Sequence, residues 1–286
     1  MIATEGKTIA VIGATGRQGG QVARQLLGQG WQVRAVTRTP QSKKAEALKA
    51  SGAEVVKADL NDRASLESAF AGAYGLYHMQ PGLGDMAVEI PQGRNAAEAA
   101  KQAGIQHLVY GSAGPGQTKT GIQQWDAKIE VKQIINELGL PLTVLRPMAF
   151  MELMTDPAYY PQSSTWSTMT KLAGTERRIP WLSVQDLGAI AAKAFSNPDD
   201  FIGKDLPLAA DAQSLGELRE IYKDVRGKYP PRFPMPLFLM KKFVGQDILN
   251  MWNWLRANPV DLETDPTYHV HPQAMNVRTW LRSQAA

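Results

Sequence analysis

The chain has 286 residues, 44% of them hydrophobic and 20% charged, with a formal net charge of +4. That length corresponds to one or two domains and can bury a sizeable core without metals or disulfides, and the composition is that of a folded chain. The absence of cysteine excludes a disulfide scaffold, an iron–sulfur site and a thiol nucleophile, and no apolar run approaches the roughly 18 residues of a membrane span. The N-terminus lacks a basic leader and a cleavage site, so a soluble cytoplasmic protein is expected. The positive excess is confined to the first half and spread along it: residues 1–150 hold 16 basic and 12 acidic residues, residues 151–286 hold 15 of each. Neither nucleic acid nor membrane is therefore expected as a partner, whereas a phosphate-bearing small ligand fits.

The first half alternates strand-like and helix-like segments. Strands are expected at 7–13, 31–38, 53–60, 73–79, 106–112 and 140–147. Helices are expected at 16–30, 43–52, 63–72, 87–104 and 123–138, several closed by glycine. The first of these helices shows the spacing clearly, with Val22, Ala23, Leu26 and Leu27 on one side. Short connections and the lack of hairpin signals imply a parallel, doubly wound α/β sheet. After Pro147 the rhythm breaks. Residues 151–170 read as irregular and aromatic. Ser183 with Asp186 three positions on marks a helix start, 201–210 a strand, 214–227 a helix, and 237–256 another helix after a four-proline stretch. We expect a dinucleotide-binding domain over 1–150 and a smaller α/β lobe over 151–286, with some segments returning to the first domain.

Strand 7–13 runs into Gly13-Ala14-Thr15-Gly16-Arg17-Gln18-Gly19, a G-x-x-G-x-x-G loop between a strand and a helix. Glycine there leaves the backbone N–H groups open to a pyrophosphate, and the helix N-terminus adds donors and a positive dipole end. Specificity is set at the end of the second strand. An NAD site places an acid there for the ribose hydroxyls, but this chain has Thr37-Arg38-Thr39 and no acid between Gly19 and Glu46. A guanidinium at Arg38 suits the 2′-phosphate of NADP, with Arg17 and Lys43 as helpers. Asp59 ends the third strand and suits either the adenine amino group or the cap of the next helix. Leu60 beside it, Gln80 and Pro81 after the fourth strand, and Ser112 after the fifth complete the expected cofactor contacts.

The segments GATGRQGG, VRAVTR, ADLND, LRPMAFMEL and IPWLSVQDLGAIAAKAF, with Lys128 on its helix, resemble the NmrA-like family of atypical short-chain dehydrogenase/reductases. The resemblance covers about residues 7–210. It implies a Rossmann domain with a small C-terminal lobe and NADP(H) as cofactor. It also implies either quinone or enone reduction, or a redox-sensing regulator without turnover. Related short-chain reductases use a Ser and a Tyr-x-x-x-Lys motif. Ser112 and Lys128 match the serine and the lysine, but Gln124 stands at the tyrosine position. An amide is no acid near neutral pH. Lys128 then either donates the proton itself or only holds the ribose. The leading expectation is an NADPH-dependent oxidoreductase acting on a small apolar acceptor. The alternative is a non-catalytic NADP(H)-binding sensor, for which a protein partner is conceivable.

Other features carry less. His269 and His271 stand two apart without an evident third ligand, so no metal is expected. His78 ends a strand where ligands bind in such sheets. Trp125, Phe150, Met151, Met154 and Tyr159 suit either a substrate pocket or ordinary core. No G-x-S-x-G motif supports a hydrolase.

Overall fold

The computed structural model describes residues 4–82, 84–159, 162–260 and 263–284. In chain order the elements are β1 (Thr8–Ile12), α1 (Arg17–Gly28), β2 (Gln32–Thr37), α2 (Lys43–Ala50), β3 (Glu54–Lys57), α3 (Arg63–Phe70), β4 (Gly75–His78), α4 (Met86–Gln102), β5 (His107–Gly111), α5 (Gln123–Glu137) and β6 (Leu142–Pro147). There follow β7 (Ala149–Phe150), a 3-10 turn (Met151–Met154), α6 (Gln162–Ala173), β8 (Arg178–Leu182), α7 (Val184–Ser196), α8 (Pro198–Phe201), β9 (Asp205–Leu208) and β10 (Asp211–Ser214). The chain ends with α9 (Leu215–Arg226), α10 (Leu237–Ala257), α11 (Asp265–Val270) and α12 (Val277–Ser283). Among the described residues no helix is long and apolar enough to cross a membrane.

The chain divides into two compact units. The first comprises 1–113, 124–146 and 187–206; the second comprises 114–123, 147–186 and 207–286. The first holds a seven-stranded sheet in the order β3-β2-β1-β4-β5-β6-β9, with neighbours from β3 through β6 parallel. Such a sheet is covered on both faces, which is why β1 and β5 are apolar at nearly every position instead of alternating. Ala10 and Ile12 join one core with Leu66, Phe70, Ala96, Tyr110, Val131 and Ile135. On the other face Ile9 lies beside Phe195 of α7, and a Cβ on Gly75 would strike both side chains at 2.8 Å. Strand β9 is tied to the edge by Asp205, which takes Lys132 Nζ at 2.6 Å and Arg146 Nε at 3.1 Å.

The second unit contains a three-stranded sheet in the order β10-β8-β7, with β8 antiparallel to β10 and parallel to β7. Its core holds Trp166, Trp181, Trp252 and Trp280. Ser214 and Glu217 form a reciprocal capping box at the start of α9. The helix over 162–173 departs from the irregular chain expected there. Its Ser/Thr-rich sequence has little helical preference, and the buried spacing of Trp166, Met169, Leu172 and Ala173 supplies the packing instead.

Candidate functional site

The turn between β1 and α1 assigns its three glycines different tasks. Gly13 has a φ of +70°, which a side chain tolerates poorly. The Gly13 carbonyl accepts from the Gly16 N–H at 2.8 Å and closes the turn. A Cβ on Gly19 would lie 2.4 Å from that same carbonyl oxygen, so Gly19 lets α1 pack against the end of β1. Gly16 is the residue exposed at the loop tip, with its nearest neighbour 3.1 Å from a built Cβ. Helix α1 begins at Gly16 without a side-chain cap, whereas Ser42, Asp62 and Asp85 cap α2, α3 and α4. The first helix therefore offers its N-terminal donors outward.

A cavity of about 570 Å³ opens beside this turn. It brings together Gly13, Thr15, Gly16, Arg38, Asp59, Leu60 and Pro81 from the expected set. Arg38 is exposed at the end of β2 and carries no ion pair among the described residues, so its guanidinium is available to an anion. The lysine at the wall is Lys44; the expected Lys43, at the first position of α2, does not line the cavity. Asp59 does not cap α3. That role falls to Asp62, while Asp59 Oδ1 accepts from the Asn61 N–H at 2.9 Å and from Asn61 Nδ2 at 3.0 Å. Met79 and Gln92 also line the cavity and were not expected.

The remaining expected residues lie off this cavity. Arg17, Gln18 and Gly19 form the first turn of α1, where Gln18 Oε1 is buried without a partner among the described residues. Gln80 is 2% exposed and committed to structure: Tyr110 Oη donates to its Oε1 at 3.2 Å, and its Nε2 donates to the Glu89 carbonyl. Gly93 of α4 makes room for that amide, since a Cβ there would lie 3.1 Å from Gln80 Nε2. Ser112 follows β5, and its Oγ is buried without a partner among the described residues.

Lys128 is buried on α5, and its Nζ lies 3.2 Å from Glu89 Oε2 of α4, itself 0% exposed. The second carboxylate oxygen of Glu89 accepts from the Gly84 N–H at 3.3 Å. Glu89 is the functional neighbour that sequence reasoning missed. A signal existed, because Glu89 stands in register with Gln92, Ala96 and Ala100 on the inward stripe of α4, where an unpaired carboxylate would be costly. His78 is wholly buried, with neither ring nitrogen partnered among the described residues. Burial, with the Lys128 charge adding, holds its pKa down to about 3, so it stays neutral. Burial likewise pushes the Tyr77 and Tyr110 hydroxyls above the usual phenol range. Gln124 lies one helical turn before Lys128, its Oε1 3.0 Å from a Cβ built on Gly82.

The aromatic and methionine set divides by unit. Trp125 is buried within the first, Met151 and Met154 within the second, and Phe150 and Tyr159 are partly covered there. His271 is not part of an extended pair with His269, because α11 ends at Val270 between them. His271 Nε2 lies 3.2 Å from Asp186 Oδ1, and Asp186 also takes Ser183 Oγ and the Met275 N–H. Ser183 Oγ in turn accepts from the Asp186 N–H at 2.9 Å, the cap the sequence implied.

A parallel sheet in this order, with an uncapped glycine-led first helix and a cavity at the C-terminal ends of β1 to β4, defines the Rossmann-like class of α/β folds. The NmrA-like family model matches residues 5–275, and the chain belongs to that family. The chain is 32% identical over 259 residues to the NmrA-like family domain-containing oxidoreductase FrzB of Cladobotryum sp, covering 79% of this chain and 76% of the relative. It is 32% identical over 243 residues to the oxidoreductase himF of Aspergillus japonicus, covering 77% and 73%. In fold it is similar to the triphenylmethane reductase of Citrobacter sp. complexed with NADP(H), with a TM-score of 0.79 at 21% identity over 98% of this chain and 100% of that one. It is also similar to the Escherichia coli NADPH-dependent quinone oxidoreductase QOR2 complexed with NADPH, with a TM-score of 0.76 at 24% identity over 97% and 100%. The negative transcriptional regulator NmrA shares the fold as well, with a TM-score of 0.75 at 21% identity over 96% and 94%.

Proposed function

We propose that this protein is an NADPH-dependent oxidoreductase whose acceptor is a small, flat, apolar molecule of the quinone or enone class. The observation that carries the reading is Arg38, a cation without an ion pair among the described residues, on the wall of the cavity that also contains Gly13 and Gly16. A planar guanidinium grips a phosphate through paired hydrogen bonds, and no acid stands at the end of β2 to take the ribose hydroxyls of NAD. The naming of the 32%-identical relatives as oxidoreductases supports the reaction class. The NADP(H) and NADPH carried by two of the similar folds support the cofactor.

The residues fit that cofactor. The uncapped start of α1 suits the pyrophosphate, Arg38 and Lys44 the 2′-phosphate, and Asp59 the adenine amino group. When bound, a reduced nicotinamide supplies a hydride. Ser112 Oγ, buried without a partner, suits a polar group of the nicotinamide half. Lys128 presents an ammonium whose position Glu89 fixes. That arrangement supports holding the ribose and stabilising developing negative charge, which a fixed cation does without reorganisation. A quinone or enone spreads that charge over its conjugated system, so it places little demand on a strong acid. Gln124 is compatible with such an acceptor.

Gln124 also favours the second reading, a sensor that binds NADP(H) without turnover. Stopped-flow oxidation of NADPH against a panel of quinones and enones, beside the affinities for NADPH and NADH, separates them. Tighter binding of NADPH with turnover of at least one acceptor is expected. NADPH binding with no turnover of any acceptor would leave the sensor. Equal affinity for NADH and NADPH would overturn the cofactor assignment.

A further inference from the structure

The first turns of α10 and the proline-rich chain before them face solvent with the wrong chemistry for a solvated surface. Phe233, Phe238 and Phe243 are 62%, 67% and 65% exposed, and Leu239 accompanies them. Met240 alone in these turns is fully buried, and Leu237 and Val244 flank it on the inner side. Helical spacing then sets Phe238, Leu239, Lys241, Lys242 and Phe243 on the outer face, where a soluble protein would place polar groups. The helix breaks at Gly245, whose φ of +80° ends this short outer surface.

The charge of the segment is equally one-sided. Residues 225–246 contain Arg226, Lys228, Arg232, Lys241 and Lys242 and no acid, so this stretch alone exceeds the +4 of the whole chain. The nearest acids in sequence are engaged: Asp224 pairs with Arg278, and Asp247 accepts from the Gln123 N–H. Exposed aromatic and aliphatic side chains interleaved with cations that form no ion pair among the described residues match the boundary of an anionic bilayer. There rings enter the headgroup layer while lysine and arginine meet lipid phosphates and carboxylates. A second copy is a poor match, because a two-fold interface across this face would bring Lys241 and Lys242 of one copy toward the same pair of the other. Pro230, Pro231, Pro234 and Pro236 hold the approach to the helix in few conformations, which lowers the ordering cost of docking.

We propose that the face formed by Phe233, Phe238, Leu239, Lys241, Lys242 and Phe243 docks this protein peripherally on an anionic lipid surface. The expectation of no membrane partner rested on the lack of a spanning segment and on overall charge, and neither bears on a local surface of this kind. The inference does not depend on the proposed reaction.

The test is co-sedimentation of the full chain, without nucleotide, with phosphatidylcholine vesicles that do or do not contain phosphatidylserine. Binding only to the anionic vesicles, weakened by raised salt, is expected. Replacing Lys241 and Lys242 by Gln should weaken it about 25-fold, at about fivefold per cation. Phe238→Ser with Phe243→Ser should weaken it at least about tenfold. Unchanged cooperative melting checks that these exposed substitutions leave the fold intact. No binding to anionic vesicles would overturn the proposal, as would equal binding to neutral ones or binding insensitive to the Phe pair. A dimer in sedimentation that the Phe pair dissolves would overturn it too, by showing that a second copy covers the face.

Discussion

Arg38 and Lys128 are both cations, and their surroundings give them different work. Arg38 is exposed and carries no ion pair among the described residues, so its free energy is available to a ligand. Charge-assisted hydrogen bonds contribute roughly 1.5–3 kcal/mol, which predicts that Arg38→Ala weakens NADPH binding about 10- to 150-fold. NADH has no 2′-phosphate, so its affinity should hardly move. Calorimetric titration with both nucleotides checks this, and equal losses would remove Arg38 from phosphate recognition. Lys128 is buried against Glu89, with both side chains largely withdrawn from solvent. Removing one partner strands the other, at a typical cost of about 3–5 kcal/mol, whereas replacing both by apolar side chains is often near neutral. Lys128→Met should therefore destabilise the protein strongly. Adding Glu89→Leu should recover most of the loss in urea unfolding without restoring hydride transfer. A double variant that is no more stable than the single one would show that the pair is not the reason both groups are tolerated in the core.

At the scale of elements, the β1-turn-α1 unit separates a packing glycine from a glycine that borders the cavity. A Cβ on Gly19 would lie within 2.8 Å of three backbone atoms of Ile12 and Gly13, and backbone cannot step aside as a flexible side chain can. Gly19→Ala is expected to cost about 1–3 kcal/mol or more in stability through overpacking. Gly16 has extended backbone with a φ of −87°, which any residue adopts, and it borders the cavity. Gly16→Val puts a Cβ 3.1 Å from the Gly13 carbonyl oxygen and should cost less stability than Gly19→Ala, leaving the protein folded while abolishing nucleotide binding; unaltered binding would make the loop a turn and nothing more. This unit was legible in sequence because everything that defines it lies within thirteen residues. The same holds for helices α1, α2, α4 and α5, whose ends are marked by Gly30, Gly52, Gly104 and Gly139, all at positive φ. Strands β8 and β10 were not legible. Each is short, β8 contains Pro180, and β10 reads Asp-Ala-Gln-Ser, so only their pairing in space makes them strands. The Lys128–Glu89 pair was hidden for a related reason, since 39 residues and two different helices separate the partners. Local spacing identified the lysine, while the carboxylate that fixes it is a product of the tertiary fold.

For the whole molecule, three buried titratable groups set opposing pH dependences. Burial holds His78 down to about 3, assisted by the Lys128 charge, and burial holds His107 down to about 4, both from an ordinary value of 6.5. As pH falls below 6.5 the unfolded chain gains protons that these native rings refuse, so stability is lost toward acid. Glu152 runs the other way. Burial raises its carboxyl from 4.5 to about 7; the N–H of Val184 opposes the shift, and the charges of Asp186 and Asp156 add to it. Between about pH 4.5 and 7 the native Glu152 keeps a proton that the unfolded chain has released, so its contribution falls as pH rises through that window. One proton changes stability by about 1.4 kcal/mol per pH unit. Glu152→Gln removes the titration but keeps an oxygen to accept from Val184. The variant should therefore gain on the wild type steadily from about pH 4.5 to 7, by roughly 3 kcal/mol in all, and run parallel to it on either side. Urea unfolding of both proteins across pH 4 to 8 measures the difference directly. Taking the difference cancels the histidines and every other group the two chains share. A gap that stays constant with pH would mean that the Glu152 carboxyl titrates alike in the native and unfolded chains, and would leave the loss of stability toward acid at the two histidines unopposed by it.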